Sequence, residues 1–204
     1  MYNFSRPATA SMELSYLERR SARGFAAYKL RKRCEAVYDR LKAYCPGAAP
    51  VFLDIGACDG RMLSYIKDRL PEARCEGIEP DPRFLARVSD PRLRVRAGRS
   101  ERLDFPDGTF DFAVMSSVLE HVEDEAAGLA EARRVLKPGG VLCVIAVLPL
   151  YEKLTVLTGF KKSDHFRNYS LPELKATLER AGFAVPEASP MPFPLFYNIA
   201  VGRK

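Results

Sequence analysis

The 204-residue sequence predicts an α/β fold of the doubly wound class, a mainly parallel sheet with helices on both faces, preceded by an N-terminal helical segment. Two observations carry this. From residue 51 onward, short apolar runs alternate with segments of helical period, the pattern of linked βαβ units. The run Val141–Leu148 is apolar throughout, as a strand covered on both faces must be. A hydrophobic content of 47% in a chain of this length suffices for one domain with its own core.

The elements follow in order. Residues 1–10 carry no pattern. From Ser11 to about Tyr44 helix formers dominate, with Leu14, Leu17, Tyr28, Leu30, Val37, Tyr38 and Leu41 as an interrupted apolar stripe and a break expected at Gly24. Cys45-Pro46-Gly47 ends it. A strand is expected at 51–55, a helix at 60–70 with Met62, Leu63, Ile66 and Leu70 inward, and a strand at 74–78. A helix near 82–88, a strand at 93–96 and the turn Phe105–Asp111 lead to a strand at 111–115. The helix at 124–136 should stop at Lys137-Pro138-Gly139-Gly140, because proline cannot continue a helix and the glycines turn the chain into a strand at 141–147. Residues 148–170 read as less regular. Ser170 and Glu173 then form a capping box, opening a helix that closes at Gly182, and Leu195–Lys204 reads as a last strand.

Composition narrows the function classes. There are 32 Lys and Arg against 26 Asp and Glu, a net charge of +6, with basic clusters at Arg19–Arg33 and Arg92–Arg102. Such clusters attract phosphates, nucleic acid or an anionic membrane surface, or are simply solvated faces. The lack of interleaved aromatics disfavours nucleic acid and leaves peripheral membrane contact open. Five cysteines, odd in number and without C-x-x-C spacing, read as reduced thiols, and no secretory h-region is seen; both point to a soluble cytoplasmic protein. The longest apolar run falls well short of the ~20 residues of a membrane-spanning helix. No metal is expected.

The chemistry centres on the stretch Val51–Leu63, "VFLDIGACDGRML". In doubly wound sheets ligands bind outside the carboxyl ends of the strands, and the first strand-turn-helix is the usual place. Gly56 permits a tight or left-handed backbone, and Gly60 removes a side chain from the helix start. Exposed N–H groups there favour a polar ligand. A dinucleotide fingerprint would need glycines at 58 and 61, where Cys58 and Arg61 stand. Nineteen residues after Gly60, Glu79 ends the second strand, placed to accept hydrogen bonds from both hydroxyls of a ribose. Turn and carboxylate together indicate a nucleoside.

From about residue 50 onward the chain resembles the class I S-adenosylmethionine-dependent methyltransferases, in the style of the small-molecule branch typified by quinone-biosynthesis enzymes. "DIGACDG" matches the family's first motif through Asp54, Gly56 and Gly60, with Cys58 in place of the middle glycine and Ala57 beside it. Glu79, followed by Pro80, matches the acidic residue after strand two. "GRSERLDFPDGTFD" matches the segment before strand four, with Arg99 replacing an aspartate that contacts the adenine amino group; Arg99 has no acceptor atom, which leaves Ser100 or main chain for that contact. "MSSVLEHVED", "ARRVLKPGG" and "DHFRNYSLPELKATLERAGF" match further segments in order. The resemblance implies a seven-stranded Rossmann-like sheet, S-adenosylmethionine as cofactor, and a domain at 49–204 with residues 1–48 as a helical lid. It also implies cofactor contacts at the positions just named. Asp54 would reach the methionine ammonium, and Ser116, at the end of strand four, would contact the same end of the cofactor.

Methyl transfer from a sulfonium requires alignment, exclusion of water and, for some acceptors, removal of a proton. The chain has two histidines, His121 and His165, and both are candidate catalytic groups, the alternative being histidines that fix their loops. Tyr169, Arg167, Glu120 and Glu123 are weaker candidates. The acceptor implied is a small or medium-sized metabolite, anionic if the basic clusters serve it. A cofactor-binding scaffold that does not methylate stays open, as does another enzyme of the same sheet such as an aminopropyl transferase, which would normally carry an added β-domain.

Overall fold

The computed structural model describes residues 24–47, 49–158 and 165–204. The expected helical stretch from Ser11 is therefore seen from its break at Gly24 onward, and Ser11–Arg23 lies outside the described residues. Helix α1, Phe25–Tyr44, precedes strand β1, Val51–Ile55. Then come α2, Arg61–Arg69; β2, Arg74–Glu79; the short α3, Pro82–Leu85; and β3, Arg94–Ala97. Strand β4, Phe110–Ser116, runs into one turn of 3₁₀ helix, Leu119–His121, and then α4, Glu125–Val135, and β5, Leu136–Val147. The chain closes with α5, Pro149–Leu157; α6, Leu171–Arg180; β6, Ala184–Pro190; and β7, Tyr197–Arg203.

The seven strands form one sheet in the order β3-β2-β1-β4-β5-β7-β6. Strands β1 to β5 pair in parallel, whereas β7 runs antiparallel to both β5 and β6, so the sheet is mixed. Strand order reverses between β1 and β4, which opens a crevice at their carboxyl ends. The antiparallel β7 begins at the same end, because Tyr197 pairs with Val147.

Alternation along the strands divides the core between two faces. Phe52, Phe112, Cys143 and Ile145 meet Leu30, Val37 and Leu41 of α1 and Leu63 and Ile66 of α2. Leu53, Ala113, Leu142 and Val144 meet Leu129 and Val135 of α4 and Leu174 and Leu178 of α6. Each such Leu, Ile, Val or Phe side chain stabilises the fold by about 1.5–3 kcal/mol. The stacked Phe52–Phe112 pair, 5.6 Å between centroids, ties β1 to β4 beneath the crevice.

Three local differences from the sequence expectation have physical causes. Lys137–Gly140 does not separate α4 from β5. The strand starts at Leu136, opposite Phe110, and resumes its register at Val141 opposite Phe112, so the four residues bulge outward with Gly139 at φ 76°. Strand β6 carries Pro186 and Pro190, which mask a strand in sequence and are tolerated because β6 is the sheet edge. Helix α5 occupies part of the stretch that reads as irregular; Pro149 opens it, and Leu150, Leu154 and Leu157 point outward where an amphipathic pattern would put polar groups. The capping box stands as expected, with the Ser170 N–H donating to Glu173 Oε2 at 2.8 Å.

All five cysteines are free thiols, and burial pushes Cys143 up to about 12 and Cys45 and Cys75 up to about 11. Ion pairs absorb much of the Arg92–Arg102 cluster: Arg92 holds Asp68 and Asp90, Arg96 holds the buried Glu76, and Arg99 holds Glu101. No helix among the described residues is long and apolar enough to cross a membrane.

Candidate functional site

The glycine turn lies on the end of β2. Gly56 N–H and Ala57 N–H both donate to the Ile78 carbonyl at 2.9 Å, and Gly60 N–H turns back to Ala57 O. Gly56 takes φ 81°, and a Cβ there would overlap Val118 Cγ2, so only glycine lets the loop after β4 close onto the turn. Cys58 adopts φ 52°, a left-handed conformation that explains why a glycine would also suit this position. Its N–H donates to Glu79 Oε2 at 2.8 Å, while Asp81 N–H donates to Glu79 Oε1 at 2.9 Å. Glu79 therefore orders the turn as well as facing it. Each carboxylate oxygen can accept a second hydrogen bond, so these two do not exhaust its capacity.

The remaining positions expected from sequence to meet the cofactor are spread around that turn. Asp54 is buried at the end of β1 and lines a small cleft with Gly56, Ala57 and Ser116 at the strand ends, Met62 of α2, and Leu30 and Arg33 of α1. The Gly98 N–H donates to Glu79 O, which brings the 98–100 turn alongside. Ser100 is buried and its hydroxyl donates to Glu101 at 2.8 Å, whereas Pro80 and Arg99 are exposed, with Arg99 turned to Glu101 at 3.2 Å. A roomier groove of about 390 Å³ lies at the opposite end of the sheet, where Asp111 and Lys137 pair at 2.8 Å among strand starts.

Facing the cleft is a second group of side chains. Arg33 is buried on α1, and its Nη1 donates to Ser117 Oγ at 3.0 Å and Ser116 Oγ at 3.4 Å. Lys29, one turn earlier, holds its ammonium 4.7 Å from the Tyr151 ring centroid and 4.9 Å from that of Tyr197. Burial works to raise the Tyr197 phenol, but the Arg33 and Lys29 charges outweigh it and hold it below its usual range. Glu120 is fully buried: Oε1 accepts from Val147 N–H at 2.6 Å, and Oε2 has no hydrogen-bond partner among the described residues. Burial raises its carboxyl, with the Val147 N–H, His165 and Arg33 opposing.

The two histidines meet. Their rings lie 4.7 Å apart, edge to face, and His165 Nδ1 sits 3.1 Å from Asn168 Oδ1 and 3.4 Å from Glu152 Oε1. The other sequence candidates are engaged elsewhere: the buried Tyr169 hydroxyl bonds Glu125, Arg167 donates to the carbonyls of Val122 and Glu123, and Glu123 itself is exposed. Among the described residues no group of three or more His, Cys, Asp or Glu is arranged to hold a metal ion.

Sequence reading missed Arg33, Lys29, Glu152 and Tyr197 as site residues. For Arg33 a signal existed. Leu30, Cys34, Val37 and Leu41 mark the inward face of α1, and an arginine beside that stripe has to find a buried partner.

The description "Methyltransferase domain" fits residues 53–144, which span the glycine turn, Glu79, Ser116, Glu120 and His121. A Thermus thermophilus demethylmenaquinone methyltransferase is 30% identical, over 65% of this chain and 74% of its own length. This chain belongs to the class I S-adenosylmethionine-dependent methyltransferases. A Mycolicibacterium smegmatis member described as a probable S-adenosylmethionine-dependent methyltransferase is 35% identical over 76% of this chain, which spans 59% of that relative's length. Other curated relatives are matched over 37% to 61% of their lengths. The methyltransferase fold is shared with a Burkholderia thailandensis 1,6-didemethyltoxoflavin-N1-methyltransferase solved with its substrate and S-adenosylhomocysteine bound. The TM-score is 0.67 at 21% identity, over 93% of this chain and 84% of that one.

The family's cofactor is S-adenosylmethionine, and the residues present fit it. A cleft with Asp54 on one wall and Arg33 on another suits a zwitterion such as the methionine end, the Gly56 backbone leaves no room for a side chain, and Glu79 offers a carboxylate of the kind that binds vicinal hydroxyls.

Proposed function

We propose that this protein transfers the methyl group of S-adenosylmethionine to a small or medium-sized metabolite. The observation that carries the reading is the turn Gly56–Gly60, seated on β2 and closed by Glu79 at the point where strand order reverses. When bound, S-adenosylmethionine supplies an electrophilic methyl group on a sulfonium.

The chain's own part is to hold and orient. Asp54 takes the methionine ammonium and Arg33 its carboxylate, with the main chain of Gly56, Ala57, Cys58 and Gly60 along the turn and Ser116 at the same end. Glu79, with Pro80 behind it, takes the ribose hydroxyls. Ser100 and its main chain meet the adenine edge, with Arg99 on the rim held by Glu101. His121 and His165 stand on the acceptor side and handle the acceptor's proton. Of the lid expected at 1–48, residues 1–23 and 48 lie outside the described residues; the start of α1 serves that role, over a catalytic domain at 49–204. The Lys29 ammonium at the mouth supports an acceptor with negative charge away from its reacting atom, and the free thiols support a reducing, cytoplasmic setting.

Calorimetric titration with S-adenosylhomocysteine, with NADH as control, tests the reading. Micromolar binding of the first and none of the second is expected; no binding by the folded protein would overturn it.

A further inference from the structure

Glu120 has an environment that the cofactor does not account for. The loop that carries it is pinned to the glycine turn, since Val118 packs over Gly56 and Arg33 bonds Ser117, whose φ is 57°. One oxygen of its carboxyl is used by Val147 N–H; the other, also buried, meets no hydrogen-bond donor among the described residues. A buried carboxyl oxygen left in this state costs about 1–3 kcal/mol or more, unless the group takes a proton or a ligand brings a donor.

The titratable groups around it come from four elements. Arg33 approaches from α1, His165 from the segment after α5, Tyr197 from β7 and Tyr169 from the approach to α6. Arg33 and His165 favour the ionised form, and burial favours the neutral one. That balance is the one a proton acceptor needs: a carboxyl able to ionise in the closed site and to gain a proton there.

Resting on the methyltransferase reading, we propose that Glu120 Oε2 is the base of the reaction and that the acceptor reaches it as a neutral O–H or N–H group. As the acceptor's lone pair forms the bond to the methyl carbon, the carbon–sulfur bond breaks with its electron pair going to sulfur, and the acceptor's proton passes to Glu120. His165, backed by Glu152 and Asn168, then carries the proton outward and acts on Glu120 as a positioning residue. A carboxylate or thiolate acceptor, already ionised, would leave Oε2 without its donor. The segment His165–Phe166, fastened to the Glu120 carbonyl through Phe166 N–H at 2.8 Å, must stand aside for the acceptor to enter.

Glu120→Gln keeps the shape and the carbonyl that receives Val147 N–H while removing the proton acceptor; Glu120→Asp keeps the carboxyl in case the amide variant does not fold. Difference infrared spectra of wild type against each variant, from about pH 5 to about pH 9, read the carboxyl directly without an acceptor. A protonated-carboxyl band that persists above the ordinary glutamate range and is absent from Glu120→Gln is expected, with S-adenosylhomocysteine affinity unchanged in the same samples. Methyl transfer to 2-naphthol, 2-naphthalenethiol and 2-naphthoic acid provides the second readout. In Glu120→Gln turnover of the naphthol should fall by about 100-fold or more, with transfer to the thiol or carboxylate spared.

A carboxyl still protonated at about pH 9, and so with no site to receive a proton, would overturn the proposal, as would naphthol turnover at the wild-type rate in Glu120→Gln. So would a rate that requires an added divalent cation and disappears with chelator, since Oε2 would then be a metal ligand. Loss of S-adenosylhomocysteine binding by wild type would instead defeat the parent reading.

Discussion

The two halves of the crevice are built in opposite ways. On the side proposed for the cofactor the decisive contacts are main-chain: Gly56, Ala57, Cys58 and Asp81 N–H groups fix the turn through the Ile78 carbonyl and the Glu79 carboxylate, all within 26 residues of chain from Gly56 to Asp81. On the side proposed for the acceptor they are side chains, Arg33, Glu120, Glu152, His165 and Tyr197, drawn from α1, the turn after β4, α5, the segment beyond it and β7. A main-chain site demands particular backbone conformations at fixed spacing. A side-chain site can be assembled from anywhere the fold brings together, and its charges must balance one another in a dry interior.

The contrast breaks most readily at Gly56. An alanine there must hold φ near 81° and displace Val118, so Gly56→Ala should cost about 2–4 kcal/mol by the combined effects of strain and overpacking, read as a lower denaturant midpoint at constant slope. Because Val118 belongs to the loop that carries Glu120, damage should reach both halves. A variant of wild-type stability would mean that the halves are not joined through this contact.

That difference also explains what sequence could and could not reveal. Strands β1 to β5 and the helices between them were legible from apolar periodicity, and the cofactor turn from two glycines and a carboxylate at the right interval. Glu79 was expected to face the ligand; that it receives Cys58 and Asp81 N–H was not legible, since that role needs the folded turn. His121 and His165 stand 44 residues apart in sequence, and only the return of the chain past α5 sets their rings edge to face. Glu120, on a loop, read only as a weaker candidate, because nothing in its local sequence announces that the close packing of its loop against the sheet ends buries it completely. Tyr197 gave no signal, because its neighbours Lys29 and Arg33 are more than 160 residues distant.

Next in size is Glu79→Ala. It removes a charged acceptor from the ribose hydroxyls and from two N–H groups of the turn, so S-adenosylhomocysteine affinity should fall by about 1.5–3 kcal/mol in calorimetry. If Glu79 served only the cofactor, unliganded stability would be unchanged; with its two N–H partners lost, stability should fall as well. Near-wild-type affinity would remove Glu79 from the site.

The halves should also answer pH with opposite signs. Asp81, beside the turn, is held below the usual carboxylate range chiefly by its hydrogen bonds from Arg83. Its contribution is present above the unfolded carboxylate value of about 3.9 and is lost as pH falls through the lower folded value. Glu120 is raised by burial, so its contribution is complete below the unfolded value of about 4.3 and is lost as pH rises through the folded one. Denaturation of wild type beside Asp81→Asn and Glu120→Gln at several pH values separates them: the first substitution should flatten the acid limb and the second the limb toward neutrality. Parallel curves for the two variants would erase the distinction between the sides.

The smallest effect is expected at Cys58, where the comparison is sharpest. Its left-handed backbone costs a side-chain-bearing residue roughly 1–2 kcal/mol, which Cys58→Gly would relieve. Glycine in turn adds unfolded-chain entropy of roughly 0.5–1 kcal/mol and gives up the packing of Cys58 on Phe84. These changes nearly cancel, so stability should move by less than about 1 kcal/mol. Cofactor affinity should not move at all, because the Cys58 contribution is its N–H to Glu79, which glycine keeps. A marked gain in S-adenosylhomocysteine affinity for Cys58→Gly would show that the thiol obstructs the turn, and that this half of the crevice depends on side chains as the other does.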